Sequence, residues 1–347
     1  MVRLCYNGRE VKPVKRLLCL CLCLCLCSCL WFLPLSGCKN TEKFESSRYD
    51  LFDTEIRLIA CCGDQATMDA MADIAFGRLE ELHQLFDIYH HYDGIINLYD
   101  INCSGGQTVT AVDADLITLL AFGKEVYTIT SGRVNIAMGT VLTLWHDARD
   151  TGVLPEDAAL RKAAQHCDIA NLVLDTKADS VMLLDPGLRL DVGAIAKGWA
   201  AGQAAQALRD AGYADFVLSA GGNVVTAGSN GGKPWKVGIE DPDEPDALCD
   251  LVEVSDLCVV TSGGYQRYVE INGKRYHHII DPDTLYPGDY VRSASVICAD
   301  SALADALSTA CFLLTPEEGM QMAKENNARL ILVDKTGKLL DSANDPS

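Results

Sequence analysis

No charged residue falls between Leu17 and Leu35, and no C-x-x-C pair occurs anywhere in the 347 residues. Basic side chains are also short: 29 Lys and Arg stand against 48 Asp and Glu. Each shortage excludes something. The eight cysteines after Cys38 (Cys61, Cys62, Cys103, Cys167, Cys249, Cys258, Cys298 and Cys311) are scattered. A disulfide framework is not implied in a chain this long, and they read as small buried apolar side chains. Residues 1–37 hold five basic and one acidic side chain, so of a formal net charge of −19 the remainder carries −23. Such a surface repels phosphate backbones and argues against nucleic acid as a partner. After residue 40 there are no repeats and no low-complexity tracts. Helices and strands mix without strict βαβ alternation, which favours the α+β class.

What is present begins with Leu20–Asn40, "LCLCLCLCSCLWFLPLSGCKN". Its alternation would suit a strand by period alone. C-x-C repeats without His, Gly or acidic spacers do not give zinc spacing. The context gives a third reading. Arg3, Arg9, Lys12, Lys15 and Arg16 lie upstream, with Glu10 as the one acid. A positive segment ahead of an uncharged apolar one is the pattern of a secretory signal. It closes on Leu35-Ser36-Gly37-Cys38, which resembles the bacterial lipobox, whose cysteine is lipidated and becomes the new N-terminus. The alternative is an uncleaved anchor, since roughly 20 apolar residues span a bilayer. Both place the remainder outside the cytoplasm and tether it to a membrane. The division expected is a signal peptide over 1–37, a polar tether over 38–50 and one domain over 51–340.

Along that domain, Leu51–Cys62 alternates as a strand. Ala66–Phe86 carries Met68, Met71, Ala75, Leu79, Leu82 and Phe86 at helical spacing. "DIYHHYDGIINLYDIN" reads as an aromatic, Asp/Asn-rich loop, and Asp113–Thr130 as a helix stopped near Gly132. Asp191–Ala211 reads as an alanine-rich helix ended by Gly212, with Lys197 on its second turn. "ADFVLSAGGNVVTAG" is a strand, a glycine turn and a strand. "WKVGIEDP", "LCVVTSGGYQRYVEI" and "KRYHHIIDP" read as further strands, and Ser301–Leu314 as a helix.

Several stretches carry chemistry, each with a plainer explanation beside it. In "RLDVGAIAKGWAAG" an acid, Asp191, precedes small residues and Lys197. Small residues admit a ligand to the backbone, and a helix N-terminus favours phosphate oxygens. Alanine-rich helices are also simply close-packed, and a first-turn acid is often a cap. Gly221-Gly222 and "TSGGYQRY" offer turns, the second able to present N–H groups to a phosphate. His277 and His278 are neighbours on a strand, so only one can face a site, and zinc lacks a ligand set there. Asp305 and Thr309, at i and i+4, share a helix face. Both are oxygen donors suited to Mg²⁺ completed by phosphate and water, or else a solvated pair.

The order of these pieces is more specific than any one of them. Asp-x-Gly-Ala-x-Ala-Lys-Gly, Ala-Gly-Gly-Asn, Thr-Ser-Gly, His-Ile-Ile-Asp-Pro and Ala-Asp-Ala-x-x-Thr-Ala follow one another here as they do in the ApbE family of flavin transferases. The resemblance runs from about Leu51 to Asp334. It implies one α+β domain with a mixed sheet and packed helices. It implies an Mg²⁺-dependent FAD:protein FMN transferase, often a lipoprotein. The family's FAD-binding acid and lysine correspond to Asp191 and Lys197, and its metal site to the Ala194 carbonyl with Asp305 and Thr309. The histidine before Ile-Ile-Asp-Pro is His278, with the backbone of Ile280 against flavin. A further contact falls on Arg133, Val134 and Asn135, where Asn135 stands in place of the family's usual acid. Phe52-Asp53-Thr54 replaces Met-Gly-Thr. The loop built in the family on Ser-Glu-x-Ser-x-x-Asn is here "YDGIINLYDIN", with only Asn102 kept, and Tyr89 falls where the family places a tyrosine against flavin.

The chemistry so implied has Mg²⁺ neutralising the diphosphate of FAD while AMP leaves. A threonine or serine hydroxyl of an exported or membrane flavoprotein attacks the FMN-side phosphorus. The resemblance implies a Ser/Thr-Gly-Ala-Ser/Thr context for that hydroxyl, with subunits of membrane redox pumps as clients. His278, with an ordinary pKa, would take the proton. One alternative is a pyrophosphatase releasing FMN and AMP. Another is a lipoprotein that only binds FAD, which would not require a base.

Overall fold

The computed structural model describes residues 42–344 except 107, 245 and 266. The signal sequence, Cys38 and the start of the expected tether lie outside the described residues. β1 (Glu42–Leu51) and β2 (Thr54–Cys62) come first, then α1 (Gln65–Phe86), α2 (Leu98–Cys103), β3 (Thr110–Ala111), α3 (Ala114–Ile129), α4 (Gly139–Thr151) and α5 (Asp157–Ala164). β4 (Leu172–Asp175) and β5 (Ser180–Leu183) precede α6 (Ala196–Asp210), followed by β6 (Phe216–Ala220), β7 (Asn223–Ala227), β8 (Trp235–Glu240) and β9 (Leu248–Val254). β10 (Cys258–Gly263), β11 (Tyr268–Ile271), β12 (Lys274–His277), β13 (Val291–Cys298), α7 (Ser301–Phe312), α8 (Pro316–Glu325), β14 (Arg329–Asp334) and β15 (Leu339–Asp341) complete the chain.

The main sheet has eight strands in the order β1-β2-β6-β7-β10-β13-β14-β15. Period-two patterning assigns its faces. Ile56, Leu58 and Ala60 of β2 point to one core with Phe216 and Leu218 of β6 and Val260 of β10. Ile59, Val217, Val259 and Ile297 point the other way. Buried faces of α1, α6 and α7 cover the first side. The β8–β9 ribbon covers the second through Trp235, Val237, Ile239 and Val252. Among the described residues no helix is long and apolar enough to cross a membrane.

Three expectations are corrected. Residues 42–50, read as tether, belong to β1, which pairs with β2 from Glu42↔Cys62 to Arg48↔Ile56. Their polarity is that of an edge strand with one face in water, not of a linker. The sheet is not mixed, because every pairing between named strands is antiparallel. Each helical excursion re-enters the sheet at the end where it left, so helices between strands did not signal parallel neighbours. The "YDGIINLYDIN" segment is not all loop: Asn97 and Asp100 form a capping box that starts α2.

α6 also starts later than expected. Asp191 to Ile195 precede it, so Lys197 lies on its first turn. Ile195 is its N-cap and offers no side-chain acceptor. Its place is taken from α7, where Asp305 Oδ2 accepts from Gly198 N–H at 2.8 Å. Gly198 is required for this approach. A Cβ there would lie 2.5 Å from the Asp305 Cβ and closer still to the Ser301 carbonyl oxygen. Gly198→Ala is therefore expected to push α6 from α7 at a cost of about 1–3 kcal/mol, read as a lowered Tm. An unchanged Tm would mean that the helices are free to separate.

Candidate functional site

A cavity of about 720 Å³ opens at the ends of the central strands β7 and β10, between the β1–β2 turn, the start of α6 and α7. Every residue that the resemblance assigns to the flavin or the metal lines it, from Phe52 and Tyr89 through Arg133–Asn135, Asp191, Ala194 and Lys197 to His278, Ile280, Asp305 and Thr309. His277, its neighbour in sequence, does not. The imidazole of His277 bonds the Gly288 carbonyl at 2.8 Å, accepts from Ile279 N–H at 3.2 Å and meets the Phe312 ring edge-on at 5.1 Å. It is a structural histidine.

One end of the cavity is oxygen-rich. Asp305 is 4 % exposed and lies one turn from Thr309 on α7. Ser262 Oγ bonds Ser308 Oγ at 2.8 Å and Thr309 Oγ1 at 3.3 Å, and Thr261 Oγ1 bonds Ser295 Oγ at 2.8 Å. Burial drives the Asp305 carboxyl above its usual range, opposed by Lys197, the Gly198 N–H and the Asn223 side chain. A carboxylate this buried and only partly compensated is suited to a cation. Among the described residues no three His, Cys, Asp or Glu side chains converge as a metal site. The oxygens at this end, the Asp305 carboxylate and the hydroxyls of Thr309, Ser262 and Thr261, are of the hard kind that could serve a cation keeping several other oxygens.

His278 occupies the wall between β12 and Ile280, half-buried. Its Nδ1 lies 3.2 Å from the Arg267 carbonyl, which accepts, so Nδ1 carries the proton and Nε2 keeps its lone pair. The expectation of an ordinary pKa is corrected. Burial pushes the imidazole down to about 3, helped by Lys197, His277 and Arg267 and opposed by the Arg267 carbonyl. Arg267 also reaches the Asp53 carbonyl at 2.7 Å. That oxygen lies in the β1–β2 turn, where Phe52 and Asp53 take φ of 53° and 51°. Phe52 packs edge-on against His83 with ring centroids 5.2 Å apart.

Arg133 pairs with Asp283 at 2.8 Å and Asp281 at 3.4 Å, tying the end of α3 to the segment that follows His278. The Asn135 side chain is engaged with the Cys167 carbonyl at 2.8 Å and the Ala137 N–H at 2.9 Å. It braces this wall. The Asp191 carboxylate accepts from Gly193 N–H at 2.8 Å and shapes the turn ahead of α6.

The mouth was not foreseen in full. Tyr89 OH bonds His146 Nδ1 at 3.1 Å, and Arg149 lines the cavity one turn beyond. Both latter residues lie on α4. The signal was present in "GTVLTLWHDARDTG": Val141, Trp145 and Ala148 are buried at helical spacing and Gly152 stops the helix at φ 69°. Buried Asp87 builds the adjoining loop, accepting from the backbone of Tyr89 at 2.6 Å and from Tyr92 OH at 2.9 Å.

Comparison with known proteins gives a consistent picture. The ApbE family model matches residues 52–332. The chain is 35 % identical over 243 residues to an FAD:protein FMN transferase of Treponema pallidum (strain Nichols), covering 65 % of this chain and 67 % of that protein. It is 31 % identical over 253 residues to an FAD:protein FMN transferase of Klebsiella pneumoniae (strain 342), covering 72 % and 78 %. The crystal structure of the ApbE protein from Thermotoga maritima MSB8 superposes with a TM-score of 0.79 at 28 % identity, over 87 % of this chain and 97 % of that one. The flavin transferase ApbE from Vibrio cholerae gives 0.73 at 25 % identity, over 87 % and 97 %.

Proposed function

This chain belongs to the ApbE family, and from that we propose that it is an FAD:protein FMN transferase, taking FAD as substrate and a flavoprotein as acceptor. The observation that supports the finer chemistry is that His278, its Nδ1 held by the Arg267 carbonyl, and the buried Asp305 carboxyl line one cavity.

Asp305, Thr309 and the Ala194 carbonyl would hold Mg²⁺, which when bound supplies positive charge against the diphosphate. Lys197 adds a second positive charge on the first turn of α6. The hydroxyl of an acceptor serine or threonine attacks the FMN-side phosphorus while His278 Nε2 takes its proton. The oxygen–phosphorus bond to the acceptor forms, the bond to the AMP oxygen breaks, and AMP departs. A base with a pKa near 3 is weak, so the imidazole gains its strength from the anionic substrate that fills the cavity.

The experiment is incubation of the purified protein with FAD, Mg²⁺ and a peptide carrying Ser/Thr-Gly-Ala-Ser/Thr. Fluorescence bound covalently to the peptide supports transfer. Free FMN with unlabelled peptide supports hydrolysis, and unchanged FAD supports a binding protein.

The acceptor would be an exported or membrane protein such as a redox-pump subunit, because the enzyme itself would be lipid-anchored outside the cytoplasm through Cys38. Cys38→Ala is expected to block lipidation and leave unprocessed precursor, seen by mass and by membrane fractionation. A variant that matures to the wild-type mass and stays on the membrane would contradict the anchor.

A further inference from the structure

Asn223 opens β7 directly after the Gly221-Gly222 turn, is 2 % exposed and lines the cavity. The turn sets its place. Gly221 and Gly222 have φ of 55° and 90°, and a Cβ on Gly221 would overlap the Thr54 hydroxyl. The side chain is half used. Nδ2 lies 3.4 Å from the Ala220 carbonyl, and Asn223 and Asp305 line the cavity together where α7 packs on β7. Oδ1, buried, has no hydrogen-bond partner. Turning the amide over would set Oδ1 against the Ala220 carbonyl, itself an acceptor, so that neighbour fixes the orientation. A buried acceptor without a donor is costly and calls for an occupant. Since the residue lines the cavity beside Asp305, the occupant comes from what the cavity binds there.

We propose that Asn223 is a positioning residue of the cation site, its Nδ2 orienting the Asp305 carboxylate and its Oδ1 facing the hydrated divalent cation as a further oxygen. This rests on the assignment of that cation to Asp305. An amide oxygen is a hard neutral donor, the kind that such cations take beside a single carboxylate. Groups that orient a metal-binding carboxylate shift affinity without themselves carrying charge.

The test titrates Mn²⁺ into the full-length protein without FAD and follows free Mn²⁺ by electron paramagnetic resonance. Asn223→Ala is expected to weaken the Mn²⁺ Kd about tenfold or more. Asn223→Asp keeps an oxygen at the Oδ1 position and is expected to bind at least as tightly as wild type. Melting curves without metal separate packing from binding, since a residue that only supports the turn would lower Tm and leave the Kd alone. Wild-type Kd in Asn223→Ala, with Mn²⁺ binding lost in Asp305→Asn, overturns the role of Asn223 and leaves the cation site standing. Wild-type Kd in Asp305→Asn, or no Mn²⁺ binding by the wild type, removes the cation site and this proposal with it.

Discussion

Asp305→Asn is expected to lower FMN transfer by about 10²–10³-fold while the protein stays folded. Asparagine is nearly isosteric and its Oδ1 can still accept from Gly198 N–H, so the α6–α7 contact survives. What disappears is the carboxylate charge proposed to hold the cation. The sign of the stability effect is opposite to that of the activity effect. The folded-state pKa of Asp305 is raised by burial. Stability from this group is therefore full below the unfolded carboxyl pKa and is lost as pH rises through the folded one. At neutral pH without metal the aspartate weighs on the fold, so the metal-free variant should melt at or above the wild-type temperature. The gap should close in acid, where both side chains are neutral. Added Mg²⁺ should raise Tm in the wild type alone, because a ligand stabilises only the state that binds it. Melting curves at two pH values, with and without Mg²⁺, check this. A variant that melts far lower would make Asp305 a structural cap, and one that transfers FMN at the wild-type rate under limiting Mg²⁺ would make it a bystander.

His278→Ala is expected to lose about 10²–10⁴-fold in transfer with FAD affinity largely kept. The contrast is His277→Ala. That ring fills bonds to Gly288 and Ile279 and packs on Phe312, so its loss should cost about 1–3 kcal/mol of stability and leave the activity of the folded fraction. Equal loss of turnover per folded molecule in both variants would remove His278 from its role. The pH profile adds a separate check. Proton abstraction needs the neutral imidazole, so activity falls as pH drops through the His278 pKa. In the free protein that pKa is pushed down to about 3, and the anionic substrate should raise it. The acid limb of kcat/KM, which reports the free enzyme, should therefore lie at lower pH than that of kcat, which reports the complex.

The sequence carried the fold class and brought the candidate residues to one cavity. Asp305, Thr309, Lys197 and His278 were singled out by the order of short motifs along the chain, not by any one motif, and all four line the cavity. Only one of the two histidines lines the cavity, but not by strand alternation: β12 ends at His277, which turns to Gly288, and His278 lies in the bend beyond it. The depressed pKa of His278 was not legible. It arises from burial and from charges on Lys197 and Arg267, which only the tertiary fold brings near. The capping of α6 by Asp305 was equally invisible, because the acceptor comes from 107 positions away. Polar β1 looked like a linker because one-sided burial leaves its outer face hydrophilic. His146 and Arg149 were missed although α4 shows a regular apolar spacing, because nothing local marks a helix as facing a cavity.

In the proposed reaction an acceptor hydroxyl, not water, displaces AMP from FAD. The direct measurement is to run the reaction with FAD, Mg²⁺ and acceptor peptide in ¹⁸O-labelled water and to analyse all products by mass spectrometry. The expected products are peptide carrying one FMN as a phosphoester on serine or threonine and an equal amount of AMP, with no ¹⁸O in either. FMN released free with one ¹⁸O on its phosphate, and peptide left unmodified, would contradict it.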